Sequence, residues 1–134
     1  MCDKFFVYGT LKVGGYFAKK FDALRTSNKP AKLKGFDLYR IGSSTDSWFP
    51  GVIPGDGVVT GELHEYDKKA TKEVLTGMDR IEGFDPKNPK HSFYRREIVK
   101  VTLEDGTEED ANGYIFNSKM PKEYPKVKSG TWTI

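Results

Sequence analysis

The chain has 134 residues, 37% of them hydrophobic, and 22 basic against 19 acidic side chains leave a net charge of +3. That length suits a single domain, 1–134, with its own core, and nine Phe, seven Tyr and two Trp are too many large apolar side chains for a disordered chain. Its lone cysteine, Cys2, excludes an internal disulfide, its scattered basic residues lack the charged stripe of a nucleic-acid surface, and no run nears the about 20 apolar residues of a membrane span.

Phe5-Phe6-Val7-Tyr8, closed by Gly9, predicts a short buried strand. Phe17, Phe21 and Leu24 then recur at helical spacing among Lys19, Lys20 and Asp22, predicting a short amphipathic helix, with a break at Pro30. Ala31 to Ile41 roughly alternate around Gly35, a half-buried strand with a bulge. A polar loop spans 42–46, and Trp48 to Gly55, mixing Pro and Gly with apolar residues, is expected to pack against the body. Val59, Gly61 and Leu63 share one strand face. Asp67 then caps a helix bearing Ala70, Val74, Met78 and Ile81, with Gly83 as its terminator.

Beyond a loop at 85–89, Tyr94 to Leu103 reads as a long strand whose facing switches near Ile98. Asp105-Gly106 is a turn, and Ala111 to Phe116 returns as the second arm of a hairpin. The Lys- and Pro-rich tail 117–134 is expected to run irregularly over the surface. This order predicts an α+β fold with a mixed or mainly antiparallel sheet. With no leader before the first strand and a single thiol, a soluble cytoplasmic protein is expected.

Three features carry chemistry. Tyr8-Gly9-Thr10-Leu11 is a glycine-bearing turn at a strand end, where backbone N–H groups can form a nest for an anion; taken alone, an ordinary tight turn is the commoner reading. Glu82 closes the second helix beside Ile81 and Phe84, where the negative helix pole and desolvation both raise a carboxyl pKa; a solvated loop glutamate is the plain alternative. Tyr94 and Arg95 begin the next strand, placed either to bind a carboxylate or, for Tyr94, to fill the core. His64 and His91 lack a third metal ligand, and no P-loop, G-x-G-x-x-G or G-x-S-x-G occurs. Catalysis, if present, is expected to be proton transfer without metal or cofactor.

These pieces resemble the gamma-glutamyl cyclotransferase superfamily, above all its gamma-glutamylamine cyclotransferases and plant avirulence-induced-gene proteins. The resemblance runs over about residues 5–116. It is carried by Val7-Tyr8-Gly9-Thr10-Leu11-Lys12, Val59-x-Gly61-Glu62-Leu63, Met78-Asp79-Arg80-Ile81-Glu82-Gly83, Tyr94-Arg95-Arg96 and Ala111 to Tyr114.

The resemblance implies a mixed, mainly antiparallel β-barrel flanked by two helices. It implies Glu82 as catalytic acid/base, the backbone of Tyr8, Gly9, Thr10 and Leu11 as holder of a substrate α-carboxylate, and Tyr94 as a cavity wall. The implied partner is a small γ-glutamyl metabolite, whose α-amine attacks its own γ-carbonyl to give 5-oxoproline and a free amine or amino acid. The rival reading is a non-catalytic small-molecule or protein-binding module on the same fold.

Overall fold

A computed structural model describes residues 2–9, 11–12, 14–15, 18–42, 49–117, 119–120 and 124–132. Its strands are β1 (Lys4–Val7), β2 (Arg25–Ile41), β3 (Phe49–Tyr66), β4 (Tyr94–Leu103) and β5 (Glu108–Phe116). One α-helix, α1 (Thr71–Glu82), lies between β3 and β4 among the described residues. The strands close into a barrel in the order β1-β3-β2-β4-β5. All neighbours are antiparallel except β1 and β5, which meet in parallel at Phe5 and Asn112. That short seam is reinforced by the Asn112 side-chain amide, which donates to the carbonyls of Cys2 (2.9 Å) and Lys4 (3.1 Å).

Strand alternation sorts the apolar residues into two layers. Phe6, Leu33, Val59, Leu63, Val101 and Ile115 belong to a cluster drawn from all five strands and fill the barrel. Phe5, Val7, Tyr66, Tyr114 and Phe116 point the other way and pack with Val74 and Met78 of α1. Both faces of β1 from Phe5 on, and of β5 from Ala111 on, are therefore buried. The same alternation accounts for β4: Tyr94 faces the helix layer, Val99 and Val101 face the barrel, and the register with β5 is unbroken. The predicted change of facing at Ile98 is thus two faces of one regular strand, with Ile98 itself 57% exposed.

Four expectations are corrected. The segment predicted as a first helix forms two 3₁₀ turns, Ala18–Lys20 and Asp22–Leu24, so one α-helix and short turns flank the barrel; Phe17 lies outside the described residues. Pro30 does not break the chain, because β2 runs through it. β2 meets β4 only at Ala31 and Lys32, so its edge is unpaired there and the missing N–H disrupts no ladder on that side. The 49–55 segment is strand, continuous with the predicted Val59 strand, and the β2–β3 pairing shifts register beside Gly35 (φ 84°), where the bulge was expected. Finally, the tail is pinned to the barrel. The Val127 N–H donates to Leu38 O and the Thr60 N–H to Gly130 O, each at 2.7 Å, while Val127 and Trp132 pack on the barrel layer. No described helix is long and apolar enough to cross a membrane.

Candidate active site

Glu82 is the last residue of α1, and the chain is turned sharply beneath it. Gly83 adopts the left-handed conformation (φ 67°, ψ 35°). Its N–H donates to Arg80 O (3.3 Å) and that of Phe84 to Asp79 O (2.9 Å), the paired bonds of a Schellman ending. The Gly83 carbonyl in turn accepts from the Phe93 N–H at 3.1 Å, tying the helix end to the approach to β4.

One turn before Glu82, the buried Asp79 is a second anchor. Its Oδ1 accepts from the Tyr114 hydroxyl of β5 at 2.6 Å, and its Oδ2 from Arg96 Nη1 of β4. The Arg96 guanidinium also lies over the Phe84 ring, 5.3 Å from its centroid. Two strands therefore grip the final turn of α1 on both sides of Glu82.

The helix end, the turn after β1 and the starts of β3 and β4 surround a cavity of about 320 Å³, a size suited to a metabolite. Its walls include Tyr8, Gly9 and Leu11 from the turn, Phe49 and Pro50 from β3, Ile81 and Glu82 from α1, and Phe93, Tyr94 and Tyr114. Glu82 is the only charged side chain among the described lining residues.

The three tyrosine hydroxyls are already engaged by protein. Tyr8 donates to Tyr114 O at 2.7 Å; Tyr94 donates to Pro50 O; Tyr114 donates to Asp79. Desolvation holds all three firmly protonated, with the Glu82 charge adding to the effect. No hydrogen bond from a described residue reaches the Glu82 carboxylate, and desolvation raises its pKa from an ordinary 4.5 to about 7. The negative pole of α1 acts in the same direction. At neutral pH this carboxyl both takes and returns a proton readily.

A family model described as "Gamma-glutamyl cyclotransferase, AIG2-like" matches residues 5–134. The chain belongs to the gamma-glutamyl cyclotransferase, AIG2-like family. Solved structures agree on the fold. An AIG2-like protein of Mus musculus is 26% identical, with 90% of this chain and 81% of that one covered and a TM-score of 0.68. An Arabidopsis thaliana protein is 22% identical, with coverage of 90% and 72% and a TM-score of 0.66. An uncharacterised Pyrococcus horikoshii protein is 22% identical, with coverage of 96% and 87% and a TM-score of 0.59. No curated protein matches the sequence. The family match takes in the tail that the sequence resemblance left out, consistent with its attachment to the barrel.

Within this family fold, Tyr8, Gly9, Leu11, Glu82 and Tyr94 share one cavity, and Thr10 lies outside the described residues. Gly9 does not use a positive φ; a Cβ there would stand 2.5 Å from Pro50 Cγ, so the absence of a side chain lets the turn lie against β3. Tyr94 contributes its ring, since its hydroxyl proton is held by Pro50. Arg95 is not a lining residue; it pairs with Glu97 and donates to Phe116 O at 3.3 Å. Sequence reasoning missed the Asp79–Arg96–Tyr114 anchor and the contact between the Phe49 and Phe93 rings. A signal for the first was present: Asp79 lies three residues before Glu82, and a carboxylate there needs partners if buried. Nothing in the sequence announced the second, because Phe49 and Phe93 are 44 positions apart.

Proposed function

We propose that this chain is a cofactor-free cyclotransferase releasing 5-oxoproline from a small γ-glutamyl amine or amino acid, with Glu82 as general acid/base. One observation carries the reading: among the described residues, the cavity of a family member is lined by one charged side chain, left without protein hydrogen bonds and balanced near pH 7. Such a carboxyl has the proton affinity best suited to general acid/base work at neutral pH.

In this mechanism the neutral α-amine of the γ-glutamyl group attacks its own γ-carbonyl carbon, forming the ring C–N bond. Glu82 removes the extra proton from the attacking nitrogen. As the tetrahedral carbon collapses, the same carboxyl delivers that proton to the departing nitrogen and the old C–N bond breaks. The products are 5-oxoproline and a free amine, and Glu82 is restored as a carboxylate. Backbone N–H groups of the Tyr8–Leu11 turn supply the donors for the substrate α-carboxylate and the transient oxyanion, since the wall hydroxyls are engaged elsewhere. The packed tyrosine rings hold the flexible γ-glutamyl chain in its folded, reactive shape.

The test is release of 5-oxoproline from a panel of γ-glutamyl amines and γ-glutamyl amino acids. Turnover is expected from the native chain and none from Glu82→Gln, which should still bind substrate. Binding by the native chain without turnover across the panel would instead make it a ligand-binding module.

A further inference from the structure

The wall beside Glu82 is made of carbon. Phe93 immediately precedes β4, and its ring packs edge-on against Phe49 (centroids 5.3 Å), Tyr94 (5.0 Å) and Phe116 (5.4 Å). Although held by three rings, the residue leaves 46% of its surface open. Large apolar residues this exposed are few here; the others among the described residues are Val58 and Ile98, and neither lines the cavity. Phe49, Pro50 and Ile81 continue the same wall.

A γ-glutamyl compound has two unlike ends. Its α-amino-acid end is charged and calls for backbone donors and a carboxylate, which the turn after β1 and Glu82 offer. Its other end is whatever the γ-nitrogen carries. For that end the described lining residues provide no cation to pair a carboxylate, no second anion to pair an ammonium, and no unengaged tyrosine hydroxyl. Among the described lining residues, nothing compensates a charged group for the hydration it gives up there. An apolar one would cover the open face of Phe93.

Resting on the reaction above, we infer that the preferred substrate is a γ-glutamyl amide of an apolar, uncharged amine, its alkyl or aryl group lying on the Phe49–Phe93 wall. Specificity then grows with the hydrocarbon removed from water, and a leaving group bearing its own carboxylate or ammonium is disfavoured.

The experiment measures kcat/KM for 5-oxoproline release from γ-glutamyl methyl-, ethyl-, propyl-, butyl- and benzylamide, beside γ-glutamylglycine and the γ-glutamyl derivative of the lysine ε-amine. The alkyl series is expected to climb about threefold to fourfold per methylene, the factor for burying one CH₂. Butyl- and benzylamide should exceed both charged leaving groups by at least about tenfold. Phe93→Ala should flatten the climb and Phe93→Leu should keep most of it, a ratio that loss of folded protein does not change. A flat or falling alkyl series, or preference for either charged leaving group, overturns the inference while leaving the cyclotransferase reading intact. Absence of 5-oxoproline from every compound overturns both.

Discussion

Replacing Glu82 by glutamine tests the environment of the carboxyl without any substrate. In the folded chain its pKa is raised from 4.5 to about 7, so between those values the native state holds a proton that the unfolded chain has released. The stability linked to this group is fully present below about pH 4.5 and is lost as pH rises through about 7. At about 1.4 kcal/mol per pH unit, complete ionisation in the folded state would weaken folding by up to roughly 3 kcal/mol. Water entering the open cavity screens part of that, and the change between pH 5 and pH 8 is expected to be roughly 1–2 kcal/mol.

Glutamine keeps the shape and cannot ionise, so Glu82→Gln should gain that amount over the parent at pH 8 and almost nothing at pH 5. Urea denaturation of both proteins at the two pH values measures it, and every other titrating group cancels in the difference. Equal stability differences at pH 5 and pH 8 would show an ordinary, solvated carboxylate and refute the reasoning about Glu82.

The rate should carry the same ionisation: for any γ-glutamyl amide turned over, kcat/KM should lose a further factor of about ten per pH unit below about pH 6, beyond the steady loss of neutral substrate amine, with the bend near 7 set by Glu82. Asp79→Ala removes the acceptor shared by Arg96 and Tyr114 and should cost about 2–3 kcal/mol in urea denaturation; it should lower kcat by more than about tenfold by loosening the turn that bears Glu82, and Asp79→Asn should recover part of both. Gly9→Ala drives a Cβ toward Pro50 Cγ and should cost about 1–3 kcal/mol, measured as a fall in denaturation midpoint with KM rising as the turn is displaced.

Much of the fold could be read locally because its signals are local. The α1 periodicity, Asp67 accepting from the Lys69 N–H to cap the 3₁₀ turn Lys68–Ala70 that leads into α1, and Gly83 in the left-handed region at its end all act within a few residues. The hairpin of β4 and β5 followed from alternation and Asp105-Gly106. The 49–55 strand was obscured by Pro50 and Pro54, which spoil strand propensity yet are tolerated in β3 opposite Arg40 and Phe36. The first predicted helix has the right spacing but only short 3₁₀ turns, since so few residues cannot repay the cost of nucleating an α-helix.

By itself the sequence determined that Glu82 closes a helix beside apolar neighbours, that a glycine turn follows the first strand, and that the family motifs occur in order. Tertiary structure alone decided that these ends share a cavity, that Tyr8, Tyr94 and Tyr114 have their hydroxyls engaged by protein, and that Phe49 and Phe93 meet beside the carboxyl. The reason is physical. Periodicity and capping depend on neighbours along the chain, whereas desolvation and hydrogen-bond satisfaction depend on atoms that barrel closure brings together from distant strands.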